Sequence, residues 1–299
     1  MHDCRARLGL GTVQFGLDYG ISNEEGMTPQ SEVRAILDEC TKQGITLLDT
    51  ARGYGKSEEV LGNADASHIK IITKIFPIKK PVITDENRQA ARRSFQTSLD
   101  ALKKNEIYGI LLHHAEDALV KGGARLVEDL QGLKNEGKVS KIGISFYEQS
   151  EIERALNLFE FDLIQIPANI FDQRLIQSGI LKDLKKRGIE IHVRSAFLQG
   201  VVFMKSDELP QYLEGLRKPL KDFTATCDGL KTTPAAAALA YLMAQPEIDR
   251  VICGVNTRKQ LSELCEMAAN LPTLPKDCFD KIAVSQAHLI NPSLWGKKE

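Results

Sequence analysis

Eight short apolar runs, each followed by a longer amphipathic stretch, recur from one end of the chain to the other, and few folds satisfy that rhythm. The runs occupy 8–12, 45–48, 69–74, 107–112, 140–145, 161–166, 189–194 and 250–253. The stretches between them carry helical periodicity at 30–43, 84–102, 124–135, 150–158, 179–187, 234–244 and 259–269, with a short helix opening at 57–61. In 30–43, for example, Val33, Ile36, Leu37 and Cys40 share one face. Thr28-Pro29 supply an N-cap and a first-turn proline. Parallel strands need helical crossovers, so strict alternation predicts a parallel sheet. Eight units within 299 residues match a closed (β/α)8 TIM barrel, α/β in class, forming a single domain over 1–299. An open doubly wound sheet is the alternative. A dinucleotide fingerprint at Gly9-Leu10-Gly11 fails, because the next glycine is Gly16 and no helical period follows it.

The formal charge of -1 provides no field to attract nucleic acid or an anionic membrane. Lys79-Lys80 and Lys185-Lys186-Arg187 read as solvated surface. Six cysteines without CxxC spacing suggest neither a zinc site nor a disulfide framework, and fit a reducing compartment. Met1-His2-Asp3-Cys4-Arg5 lacks the apolar core of a signal peptide, and no apolar run approaches membrane-spanning length. A cytoplasmic, soluble protein is expected, with no metal, no nucleic-acid partner and an oligomeric state left open.

Active sites of such barrels lie at the C-terminal strand ends. Those ends are Thr12, Asp49, Lys74, His113, Ser145, Gln165 and Arg194, with Gly254 opening the loop after the eighth strand. Each has an ordinary explanation alone; together they would converge on one mouth. The stretch Gly44-Ile45-Thr46-Leu47-Leu48-Asp49-Thr50-Ala51-Arg52-Gly53-Tyr54 adds a phenol five residues beyond the aspartate. A free phenol is a poor acid at neutral pH. A lysine beside it favours the phenolate, and a carboxylate keeps that lysine charged. Tyr54, Lys74 and Asp49 therefore suit protonation of a carbonyl oxygen as hydride reaches the carbon, with His113 orienting the oxygen. No competing Ser-His-Asp or Cys-His arrangement is present.

On these residues the sequence resembles the aldo-keto reductase family. The resemblance runs through Asp49-Thr-Ala-Arg-Gly-Tyr54-Gly-Lys-Ser-Glu58, Ile-Thr-Lys74, Leu-Leu-His113, Ile-Gly-Ile-Ser145, Gln165-Ile-Pro-Ala-Asn169 and Ile252-Cys-Gly254. It implies an NADPH-dependent reductase of a small carbonyl on a (β/α)8 barrel, with Tyr54 as proton donor, Lys74 and Asp49 tuning it, and His113, rather than its neighbour His114, orienting the carbonyl. It further implies Ser145 and Gln165 at the nicotinamide carboxamide, with Gly11, Thr12, Asp49, Leu198 and Gly200 near the cofactor. The adenosine phosphate would lie against Gly254, Asn256 and Arg258 at a helix start.

Four positions depart from the family pattern. Phe146 replaces an asparagine, Arg194 an aromatic that stacks on the nicotinamide, Cys253 a proline, and Leu264 an adenine-binding asparagine. Arg194 can lie flat on the ring or pair with a phosphate or substrate anion. Arg258 and Lys259 suit a 2′-phosphate or are surface charges, which favours NADP with NAD as the alternative. Phe15, Tyr19, Phe171 and Trp295 are candidates for the substrate pocket, Trp295 either capping it or packing the C-terminal tail. Residues 200–232 read as a long loop with a helix at 210–216, and loops of that length are often functional. A cofactor-binding regulatory or partner-binding barrel with little turnover is the alternative function, and a non-redox barrel a third. The intact Asp49, Tyr54, Lys74 and His113 set argues against the second.

Overall fold

Period-two alternation along each apolar run sends one side chain into a barrel and the next into a surrounding helical layer. The computed structural model, which describes residues 4–66 and 68–295, closes that barrel; Met1, His2 and Asp3 of the N-terminal reading lie outside the described residues. Strands β1 (Leu8–Gly11), β2 (Leu47–Asp49), β3 (Lys70–Ile75), β4 (Ile107–Leu112), β5 (Val139–Ser145), β6 (Leu163–Pro167), β7 (Glu190–Arg194) and β8 (Arg250–Gly254) pair in sequence order. Every pairing is parallel, and β1 meets β8 in register from Leu8–Val251 to Gly11–Gly254. The open-sheet alternative is excluded by this closure.

Helices α1 (Gln30–Gln43), α2 (Ser57–Asn63), α3 (Asp85–Leu102), α4 (Glu116–Leu119), α5 (Ala124–Asn135), α6 (Gln149–Leu156), α7 (Arg174–Gln177), α8 (Ile180–Lys186), α9 (Arg217–Gly229), α10 (Pro234–Met243), α11 (Arg258–Ala269) and α12 (Ala287–Ile290) lie between and after the strands. α1 ends on Gly44, whose φ of 73° is the left-handed conformation that glycine adopts without steric cost. Its start differs from expectation: Pro29 occupies the N-cap, and the Thr28 hydroxyl is buried without a cap bond. α3 opens on a capping box between Thr84 and Asn87, and α11 on the Thr257 hydroxyl, which accepts from the Gln260 amide. Among the described residues no helix is long and apolar enough to cross a membrane.

The barrel interior is narrow. Leu47, Ile72, Leu111, Leu163 and Ile252 fill its middle as one cluster, while their strand neighbours Leu48, Ile71, Ile110, Ile164 and Val251 pack outward against the helices. Gly9 and Gly143 face this interior. A Cβ on Gly9 would lie 2.5 Å from Ile252 Cδ1, and one on Gly143 2.7 Å from Leu111 Cδ2, so larger residues cannot share the layer. The N-terminal end is closed by polar groups: Tyr108 Oη donates to Glu190 Oε2 (2.8 Å), Lys141 pairs with the same carboxylate, and His192 Nε2 bonds Glu190 Oε1 at 2.7 Å.

The expected long loop at 200–232 is largely helical. A 3-10 turn at Gln211–Leu216 leads directly into α9, whose Leu220, Phe223 and Cys227 are buried. Pro219 sits in the first turn of α9, where a missing amide costs nothing. Phe223 stacks edge-on with Phe171 (5.9 Å) and Phe279 (5.4 Å) in a second apolar cluster. That cluster gathers the segments after β6 and β7 with the C-terminal tail, and so braces two of the loops that rim the barrel mouth. Phe223→Ala should lower stability by about 3–5 kcal/mol, as for other buried aromatic truncations; urea unfolding of the variant against the parent measures it.

Candidate active site

Inward parity carried one step beyond the apolar layer brings polar side chains to the mouth. Asp49 follows Leu47 by two residues, Lys74 follows Ile72, His113 follows Leu111, and Gln165 follows Leu163. Lys74 is 1% exposed and Asp49 3%. The Lys74 ammonium donates to Asp49 Oδ2 (2.7 Å), the Thr50 carbonyl (3.0 Å) and the Tyr54 hydroxyl (3.3 Å). An ammonium has three donors, and all three are used. The other Asp49 oxygen accepts from Gln165 Nε2 at 2.7 Å. Tyr54, half-buried, meets the His113 ring edge-on with centroids 5.8 Å apart. Asp49, Tyr54, Lys74, His113 and Gln165 are thus in one place.

The turn that carries Tyr54 is anchored below. Ser57 Oγ donates to the Thr12 carbonyl (2.8 Å) and lies 2.8 Å from Thr12 Oγ1 and 3.1 Å from Thr50 Oγ1, while Thr12 Oγ1 donates to the Asp49 carbonyl (3.0 Å). The Thr12 side chain is fully buried in this hydroxyl knot, which ties the loops after β1 and β2 together. Glu58, 1% exposed, accepts from Thr73 Oγ1 at 2.6 Å and pairs with Arg52 at 3.3 Å. Gly16 closes the assembly: a Cβ there would lie 2.0 Å from the Tyr54 carbonyl oxygen.

The electrostatics correct one expectation. Burial, reinforced by the Asp49 charge, pushes the Tyr54 phenol well above its ordinary value, with Arg194 offsetting part of the rise. Burial also lowers the Lys74 ammonium, opposed by Asp49. Desolvation outweighs the neighbouring ammonium, whose charge Asp49 balances, so the resting phenol stays protonated. Tyr54 is therefore a neutral, loaded phenol. Burial, then the charges of Lys74 and Arg194, press His113 down to about 3, so its ring is neutral. His113 Nδ1 is buried without a partner among the described residues, whereas His114 turns toward Asp117 (3.6 Å).

The remaining expected residues separate into groups. Ser145, 2% exposed, is the register partner of Gln165, whose Oε1 is buried and without a partner among the described residues. Arg194 lies over the Tyr147 ring at 4.1 Å and reaches the Phe146 carbonyl at 3.4 Å. Tyr147 is the aromatic that sequence reasoning missed. Phe146 is fully buried against Phe161, and alternation past Ser145 would have returned residue 147 to the mouth. Gly11 pairs with Asp49 and Gly254 in the sheet. Leu198 is buried in the second cluster, and Gly200, with φ of 93°, passes so close to Ser22 that a Cβ would meet its Oγ at 1.7 Å. Asn256 bonds the loop after β1, and the Arg258 amide bonds Glu32 of α1, so neither joins this group.

Two pocket candidates are corrected, and Trp295 takes one of its two expected roles. Phe15 and Phe171 are fully buried in the two cores because each contacts its own apolar cluster. Trp295 packs the tail: its Nε1 donates to the Leu289 carbonyl (3.2 Å) and its ring lies 6.3 Å from Tyr212. Tyr19, at 37% exposure, accepts from Gln199 Nε2 at 3.1 Å and bridges the loops after β1 and β7.

The family model for the aldo/keto reductase family matches residues 7–285. The chain belongs to that family. It is similar to the aldo-keto reductase YhdN of Bacillus subtilis (strain 168), with 26% identity over 88% of this chain and 85% of the relative. It is also similar to an NADH-specific methylglyoxal reductase of Escherichia coli (strain K12), with 25% identity over 86% of this chain and 88% of the other. The holo form of an aldo-keto reductase from Bacillus halodurans shares its fold, with TM-score 0.73 and 22% identity over 95% of both chains.

The lowered His113 predicts an acid sensitivity. The unfolded imidazole binds a proton near 6.5 and the folded one near 3, so stability is complete above about 6.5 and falls as pH drops toward 3. His113→Asn should show a shallower loss across that window than the parent, read from urea midpoints at a series of pH values.

Proposed function

We propose that this aldo/keto reductase family member reduces a small aldehyde, ketone or sugar with a nicotinamide dinucleotide, Tyr54 donating the proton. The carrying observation is the three-donor ammonium of Lys74, which leaves the Tyr54 hydroxyl as an acceptor on its inner side and a donor on its outer side. The residues present suit the dinucleotide. Gln165 Oε1 is a buried acceptor with no partner among the described residues, and a carboxamide amino group would satisfy it. Ser145 beside it offers a hydroxyl to the carboxamide oxygen. NADP is the family's typical cofactor.

When bound, the reduced nicotinamide supplies hydride to the carbonyl carbon. The chain's own residues manage the oxygen. Tyr54 and the neutral His113 both donate hydrogen bonds to it, and a neutral imidazole does so without adding a charge that would hold an anionic state prematurely. As negative charge grows on the oxygen, the Tyr54 proton moves to it and the phenolate left behind lies 3.3 Å from the Lys74 ammonium. That attraction is absent while the phenol is neutral, so it acts on the transition state more than on the resting site. Asp49 opposes the pull of burial on the Lys74 ammonium.

Tyr54→Phe keeps the ring on His113 and removes only the proton. Turnover should fall by roughly 10²–10⁴ with dinucleotide affinity unchanged. Loss of reduced-dinucleotide absorbance over a carbonyl panel, paired with a fluorescence titration of dinucleotide binding, checks both halves. Full turnover in this variant would remove Tyr54 as the donor.

A further inference from the structure

The start of α11 is already supplied with an anion. A helix N-terminus gathers amide donors that suit a phosphate. Here the Arg258 amide donates to Glu32 Oε1 of α1 at 2.6 Å, the Asn256 amide to Gln260 Oε1 at 2.7 Å, and the Gln260 amide to Thr257 Oγ1 at 3.1 Å. The Asn256 side chain is committed elsewhere, donating to Asn23 Oδ1 (3.1 Å) and the Gly26 carbonyl (2.9 Å). A cavity of about 300 Å³ opens beside them, lined by Glu25, Thr28, Ser31, Glu32, Asn256 and Thr257. Its titratable lining is acidic. Thr28, 3% exposed, also lines it, its hydroxyl oxygen buried with no partner among the described residues. The cations expected to take a 2′-phosphate lie outside this lining: Arg258 and Lys259 are exposed, and Lys259 faces Glu263 at 3.7 Å.

We infer that Glu32 selects the dinucleotide, favouring an adenosine ribose with a free 2′-hydroxyl over a 2′-phosphorylated one, so that this chain departs from its family's typical NADP and takes NADH. The inference rests on the reductase reading above. A phosphate carries a charge of about −1.5 to −2 at neutral pH, and at α11 it would have to displace Glu32 from the Arg258 amide while facing Glu25. A hydroxyl meets no such repulsion, and a carboxylate is the ordinary acceptor for it.

Calorimetric titration of the full chain with NADH and with NADPH, at one ionic strength, tests this without turnover. The expected result is NADH bound at least about tenfold more tightly. Glu32→Gln retains an oxygen for the Arg258 amide while losing the charge and the second acceptor; it should tighten NADPH several-fold and weaken NADH. Glu32→Lys should bring NADPH to parity or beyond. NADPH bound as tightly as NADH by the parent protein would overturn the inference, as would a preference that Glu32→Gln does not move. Binding of neither dinucleotide would overturn the reductase reading itself, and this inference with it, an outcome distinct from binding with the opposite preference.

Discussion

A lysine ammonium held inside a barrel, with an acceptor for each of its three hydrogens, is the interaction on which the rest of the site depends. Lys74 and Asp49 are almost wholly removed from water, and a buried ion pair contributes little net stability once both charges are desolvated. Removing one partner is a different matter, because the other is left charged and unsolvated. The pair is therefore better understood as a positioning device. It fixes Tyr54 from below through Lys74, and Gln165 from the side through Asp49, using β2 and β3, which pair side by side, and β6, which barrel closure brings across the mouth.

The same closure explains why the site can be polar at all. The layer beneath it is packed by Leu47, Ile72, Leu111, Leu163 and Ile252, with glycines where the space narrows, so water cannot rise from the far end. Above the layer, each inward position is free to carry chemistry because the outward neighbours supply the core. The loops that form the rim are held by other means: the Thr12–Thr50–Ser57 hydroxyl knot on one side, and the Phe171–Phe223–Phe279 cluster on the other.

Much of this was legible in the sequence because it follows from alternation alone. α1, β4 and α5 begin and end where periodicity puts them, and Asp49, Lys74 and His113 stand at strand ends that a closed barrel must bring together. What was not legible depends on partners far along the chain. The rise of the Tyr54 phenol reflects burial first and the nearby Asp49 charge second, and both depend on how the barrel mouth packs. The Glu32–Arg258 bond joins residues 226 apart. α9 hid behind Pro219, although Leu220, Phe223 and Cys227 keep helical spacing. Phe15 and Phe171 are apolar in any reading, and only packing says whether such a ring lines a pocket or fills a core.

The central claim is that the buried Asp49–Lys74 pair exists to serve proton transfer from Tyr54, and a double replacement tests it most directly. Asp49→Asn with Lys74→Met removes both charges together and so avoids stranding either one, which keeps the barrel folded. With a dinucleotide deuterated at its reactive ring carbon, the parent protein should place deuterium on the carbonyl carbon of an aldehyde, and the double variant should do so at least about a hundredfold more slowly. Transfer at the parent rate in the folded double variant, or none in the parent across aldehydes, ketones and sugars with either dinucleotide, would contradict the account.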